Sequence, residues 1–162
     1  MDIHTTPDAA EFLLGTKSSK STLVHIEAMT KDERELASVI SNFKACFDNC
    51  FSFIELTSAT YVLGYVNVGI PVEHAWIKVG DRYIDPTYET FGIKVDEYYS
   101  VLEVPITKMF NLVTGIAQHS NDVPRAPMLH GLSKHPDFQY LFVDRSTRMN
   151  SFIFSVSQDA RL

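Results

Sequence analysis

YVLGYVNVGIPVEHAWIKVGDRYIDPT, residues 61–87, is the stretch whose reading decides the fold. TYVLGYVNV (60–68) and VEHAWIKV (72–79) change character every second residue, the signature of half-buried strands. Gly80-Asp81 between VEHAWIKV and RYIDPT is a two-residue hairpin loop. That loop sets a register in which Val79 faces Arg82, Ile77 faces Ile84 and Trp76 faces Asp85. Ala75, Ile77 and Val79 then share one face with Ile84, while His74, Trp76 and Asp85 share the other. His74 and Asp85 become diagonal neighbours with Cβ atoms about 7 Å apart or less, within reach of an imidazole–carboxylate hydrogen bond. Such a carboxylate would hold the tautomer and favour the imidazolium. A register slip of one residue would put the two on opposite faces. Each residue also has a plain structural reading: a strand histidine packed beside tryptophan, and an Asp-Pro-Thr turn that ends the strand.

Upstream, TLVHIEAM (22–29) alternates as a strand, and Thr30 to Glu33 spells a capping box. Leu36, Val39, Ile40 and Phe43 follow as a helical stripe. KACFDNCFSFIEL (44–56) continues the helix or restarts it at Ser41-Asn42, with Cys46, Cys50, Phe53 and Ile54 on one face. Residues 1–22 are polar and poorly periodic apart from Phe12-Leu13-Leu14, and read as a loosely docked arm. Downstream, YYSVLEV (98–104) is a further strand and PITKMFNLVTGIAQ (105–118) a helix with proline in its first turn. The remainder is a loop rich in proline and histidine and then a mixed tail, with FQYLFV (138–143) and NSFIFSV (150–156) as short strands. Without repeats or linkers, the expectation is one α+β domain over 1–162, with N-terminal helices packed on an antiparallel sheet. Within it, 1–22 is the arm, 30–105 the core and 106–162 a helix and mixed tail.

Composition narrows the function. The 162 residues are 45% hydrophobic and 21% charged, enough for a real core. A net charge of −6 argues against nucleic acid or an anionic membrane as the main partner. No apolar run approaches the roughly 20 residues that span a bilayer. MDIHTTPDAAEF lacks the basic and apolar regions of a signal peptide, so a cytoplasmic, reducing location is expected. Two cysteines four apart on a helix are poorly placed to bridge, which leaves free thiols.

A nucleophilic cysteine needs a helix N-terminus, a nearby imidazolium and partial exposure. Cys46, near the start of its helix and beside Lys44, meets these needs better than Cys50, which sits one turn deeper in an apolar setting. Cysteine on a helix, then Tyr61-x-x-Gly64-Tyr65, His74-Ala75-Trp76 and Asp85-Pro86-Thr87, resembles the transglutaminase-like, papain-like thiol superfamily. Cys46-Phe47-Asp48-Asn49, Gly64-Tyr65, Glu73-His74-Ala75-Trp76 and Ile84-Asp85-Pro86-Thr87 resemble, more narrowly, small bacterial and phage members of that group. The resemblance covers residues 40–105. It implies a papain-like core, a Cys46–His74–Asp85 triad, and a place in the cytoplasm of a bacterial or phage-infected cell. The chain departs from papain-type patterns in lacking a glutamine shortly before the cysteine. Oxyanion and substrate-binding candidates are therefore Asn42, Asn49, Tyr65, Trp76 and the Cys46 amide.

The chemistry expected is acyl hydrolysis or acyl transfer on a protein, peptide or small amide, with no cofactor and no metal. Two other readings stand beside it. One is a non-catalytic binding or host-factor-inhibitor protein on the same fold. The other is a metal site of Cys46, Cys50, His74 and Asp85, weak for want of Cys-x-x-Cys spacing.

Overall fold

In the computed structural model, which describes residues 5–144 and Ser146, the 61–87 stretch folds as its alternation and turn dictate. Strands β2 (Thr60–Asn67) and β3 (Pro71–Val79) pair antiparallel from Thr60↔Lys78 to Asn67↔Pro71. After Gly80, whose φ of 60° suits the tight turn, β4 (Arg82–Ile84) returns along β3 with Val79 opposite Arg82 and Ile77 opposite Ile84, the expected register. Strand β5 (Tyr98–Pro105) pairs with the other edge of β2, and β1 (Thr22–Val24) pairs with β5. The sheet order is β1-β5-β2-β3-β4, antiparallel at every step. The fold is α+β.

Alternation sorts the strand residues onto two faces. Tyr61, Leu63, Ala75, Ile77 and Ile84 form the main core with Cys50, Phe53 and Ile54 of α3 (Cys46–Thr57) and Met109 and Val113 of α5 (Ile106–Ser120). Val62, Val66, Trp76 and Tyr98 form a smaller second cluster, covered in part by Tyr83 and Tyr88. Between Leu63 and Gly64 the β2–β5 register shifts, and a Cβ on Gly64 would lie 2.0 Å from the Tyr99 carbonyl oxygen and 2.7 Å from Trp76 Cη2. Only glycine lets the backbone of β5 and the indole of Trp76 close together there.

Helix α2 (Lys31–Ile40) starts at the expected capping box: the Thr30 hydroxyl accepts from the Glu33 amide, and the Glu33 carboxylate accepts from the Thr30 amide. The stripe drawn through it is only half right. Leu36 and Ile40 pack on the core, but Ala37 is the residue fully buried, while Val39 is 82% and Phe43 60% exposed. The helix ends at Ile40, so Phe43 falls outside its periodicity. Helix α3 restarts at Cys46 rather than at Ser41-Asn42, with Ala45 at its cap position and no side-chain cap.

The N-terminal segment is no loose arm. Helix α1 (Thr6–Leu14) is capped by the Thr5 hydroxyl, carries Pro7 in its first turn and stops at Gly15, whose φ is 78°. It lies against β3 with Ala10 fully buried, and Thr16 forms a bridge with Phe142. These capping residues outweigh the weak apolar periodicity that made the segment look irregular. Of the strand expected over 22–29, only Thr22–Val24 is regular, with Ile26 adding a single parallel bridge to Tyr83. FQYLFV is not a strand: Pro136–Leu141 is a 3-10 helix begun by His135 and Pro136. Pro105 stands just outside α5, which starts at Ile106, and α6 (Leu129–Leu132) follows it. NSFIFSV lies outside the described residues. Among the described residues no helix is long and apolar enough to cross a membrane.

Candidate functional site

The loop after β4 makes Asp85 do two things at once. Asp85 is the N-cap of α4 (Pro86–Thr90), and its Oδ1 accepts from the amides of Thr87 at 3.0 Å and Tyr88 at 2.9 Å. Its Oδ2 accepts from His74 Nε2 at 2.7 Å and from the Tyr98 hydroxyl at 2.9 Å. Four donors thus fill the four lone-pair positions of one carboxylate. The helix-cap contacts and the His74 contact of Asp85 coexist, each on its own oxygen.

His74 and Asp85 are both 1% exposed. Because an ionised carboxylate only accepts, His74 carries its proton on Nε2, which leaves Nδ1 as the acceptor of the neutral ring. Tyr88 stacks on the imidazole with centroids 4.0 Å apart, and Tyr98 meets it edge-on at 6.2 Å. Burial disfavours the imidazolium, but the charge and hydrogen bond of Asp85, followed by the hydrogen bond and charge of Cys46, outweigh it and raise His74 to about 9. With Nε2 spent on Asp85, the interaction with Cys46 falls to Nδ1.

Cys46 is the first residue of α3 and half-buried, whereas Cys50 is fully buried. Burial, helped by the charges of Asp85 and Cys46, pushes the Cys50 thiol well up, and its Sγ donates to the Ala75 carbonyl at 3.3 Å. Cys46 therefore stands at the helix start, where it interacts with His74, and Cys50 in the core. The uncapped first turn leaves the amides around Cys46 without an intrahelical acceptor, facing outward with the positive end of the helix dipole. Lys44, two residues earlier, holds φ at 62°, a left-handed conformation rare for a residue with a side chain.

The other candidates are placed as follows. Asn49 is buried and fully used: its Oδ1 accepts from the Asn42 amide at 2.9 Å, and its Nδ2 donates to the Asn42 carbonyl at 2.8 Å and to Thr87 Oγ1 at 3.0 Å. It clamps the 41–45 loop to α4 and has no donor left for an oxyanion. Asn42 is exposed, with its backbone held by that clamp. Tyr65 is fully buried on the sheet face opposite His74, stacks on Tyr99 and donates to Ser21 Oγ at 2.8 Å; burial raises its hydroxyl to about 12. Trp76 is also fully buried, edge-to-face with Tyr98, and its Nε1 finds no partner among the described residues. Tyr65 and Trp76, expected to line a cleft, shape the core instead. The Cys46 amide and the Asn42 side chain are the remaining oxyanion candidates.

Three contributors escaped the sequence reading: Tyr98, Tyr88 and Thr87. Asp-Pro at a helix start was a legible signal for Thr87 and Tyr88 as first-turn residues of α4. Nothing local announced Tyr98, which arrives from β5. The four side chains of the metal reading do not converge, since Cys50 turns to Ala75 while His74 and Asp85 pair with each other. Among the described residues no group of three or more His, Cys, Asp or Glu is disposed to hold a metal.

A cavity of about 920 Å³, lined by Lys17, Glu73, Leu129, His130 and Lys134 among others, is not lined by Cys46, His74 or Asp85. Glu73 is buried there with its carboxyl raised by desolvation, and it accepts from the Leu129 amide. It alternates to the sheet face opposite His74, so the cavity does not open onto the imidazole. No family model, no curated protein and no solved structure matches the chain.

Proposed function

We propose that the protein is a cysteine-dependent acyl hydrolase or acyl transferase using Cys46, His74 and Asp85. The observation that carries this reading is the buried 2.7 Å bond from His74 Nε2 to an Asp85 carboxylate that is itself locked by three other donors. It holds the ring so that Nδ1 can keep the thiol proton of Cys46, which leaves a thiolate beside an imidazolium that Asp85 stabilises. Cys46 Sγ then attacks a carbonyl carbon, and the oxyanion meets the Cys46 amide at the N-terminus of α3. His74 returns the proton to the departing amine or alcohol as the carbonyl reforms, which leaves a thioester on Cys46. Water or an amine, deprotonated by His74, attacks the thioester and frees the thiol. Water makes the protein an amidase, esterase or protease; an amine makes it a transglutaminase-type transferase.

The test is acylation by p-nitrophenyl acetate, followed by p-nitrophenolate release and by peptide mass. The expected result is an acetyl adduct on Cys46, absent from Cys50, that forms at least tenfold more slowly in His74→Asn. Adduct formation at Cys46 with no dependence on His74 would sink the reading. The rival, a binding protein on the same fold, draws support from the burial of His74 and from the cavity that His74 does not line. Complete inertness of Cys46 toward acylating reagents is the outcome that would favour it.

A further inference from the structure

We infer that Phe43 and Phe91 form the recognition surface for an aromatic or large aliphatic group carried next to the reacting carbonyl of the substrate, an inference that rests on the acyl-transfer reading above. The two rings meet edge-to-face, with centroids 5.4 Å apart and planes at 71°. They are nonetheless 60% and 37% exposed. A paired aromatic contact that leaves this much apolar surface in water marks a place where another apolar group is received.

Its position ties it to the chemistry. Phe43 precedes Cys46 by three residues, so their Cα atoms are at most about 11 Å apart. Phe91 follows Tyr88 by one helical turn, and Tyr88 is the ring stacked on His74. The Asn49 clamp joins the loop carrying Phe43 to α4, whose end carries Phe91 and whose cap is Asp85. The segments that set Cys46 and Asp85 therefore also present the two rings. Lys44 places its Nζ 5.6 Å from the centre of the Phe43 ring, a cation–π contact that favours this ring position. An apolar group seated on the rings brings the adjoining carbonyl to the N-terminus of α3, where Cys46 stands.

Alkylation of Cys46 by chloroacetamide and by N-benzylchloroacetamide, resolved by peptide mass, separates the two layers of the argument. In both reactions the sulfur displaces chloride from the methylene carbon and the thiol proton is lost to base. The benzyl reagent is expected to label Cys46 about tenfold faster than the parent, relative to the same comparison on a free cysteine peptide, which is what a partly covered ring supplies. In Phe43→Ala and Phe91→Ala that preference, taken as the ratio of benzyl to parent rate within the same variant, falls toward the free-thiol value; Phe43→Leu keeps much of it. A wild-type preference equal to that of the free peptide, or one indifferent to both alanine substitutions, overturns the inference. Because the comparison is made at a single thiol, it reads the aromatic surface whether or not the thiol is activated. Failure of the Cys46–His74 reading shows separately, as a parent rate that does not respond to His74→Asn.

Discussion

The buried His74–Asp85 pair should make stability fall as pH rises through neutrality, and Asp85→Asn should reverse that slope. In the unfolded chain His74 titrates near 6.5, whereas in the folded protein it is raised to about 9. Between those values the folded state binds the extra proton, so the free energy of unfolding decreases with pH. The contribution is complete below pH 6.5 and lost as pH rises through about 9. At about 1.4 kcal/mol per pH unit, that interval is worth roughly 3 kcal/mol. Asparagine at 85 can still cap α4 through its side-chain oxygen, so the helix start survives the substitution. It removes the charge that outweighs burial, which then drives the folded-state value below 6.5. Stability in Asp85→Asn should therefore rise with pH as the unfolded-state imidazolium is lost. Urea unfolding from pH 6 to 8, below the range in which the Cys50 thiol ionises in the unfolded chain, followed by the fluorescence of Trp76, the single tryptophan, measures both slopes. Cys46→Ala run in parallel removes the two smallest contributions and should keep the wild-type direction. A wild-type stability that is flat or rising across this window, or an Asp85→Asn slope of the same sign, would refute the electrostatic reasoning.

Other consequences follow from single contacts. Gly64→Ala forces a methyl into the Tyr99 carbonyl and the Trp76 ring; a loss of more than about 3 kcal/mol, or failure to fold, is expected in chemical denaturation. Asn49→Ala breaks three hydrogen bonds and strands the Thr87 hydroxyl in the interior. It should cost roughly 2–4 kcal/mol and make the 41–45 backbone sensitive to proteolysis, and a change under about 0.5 kcal/mol would count against the clamp. Tyr98→Phe removes one donor from Asp85 Oδ2 and nothing else, so about 1–2 kcal/mol of stability should go. Acylation by p-nitrophenyl acetate should persist in that variant, because Nε2 of His74 keeps its partner; complete loss would show that Tyr98 does more than hold the carboxylate.

What the sequence determined by itself is whatever local periodicity and turn chemistry control. Alternation through 60–79 and the Gly80-Asp81 turn set the hairpin register, and with it the shared face of His74, Trp76 and Asp85. The capping box at Thr30 was equally legible, because a cap acts within one turn, whereas the restart of α3 was legible only as one alternative and falls at Cys46 rather than at Ser41-Asn42. The tertiary structure decided the rest. Asn49, a candidate oxyanion donor by its place beside the cysteine, became a clamp because Asn42 and Thr87 converge on it from two other elements. Tyr65 went to the far face and Tyr98 came to Asp85 because β5 pairs with β2, a contact no short window of sequence encodes. The segment before β1 became a helix against β3 through end signals that outweighed its poor periodicity. Side-chain alternation within a strand follows from backbone geometry alone, whereas the partner each polar atom finds depends on which distant elements folding brings beside it.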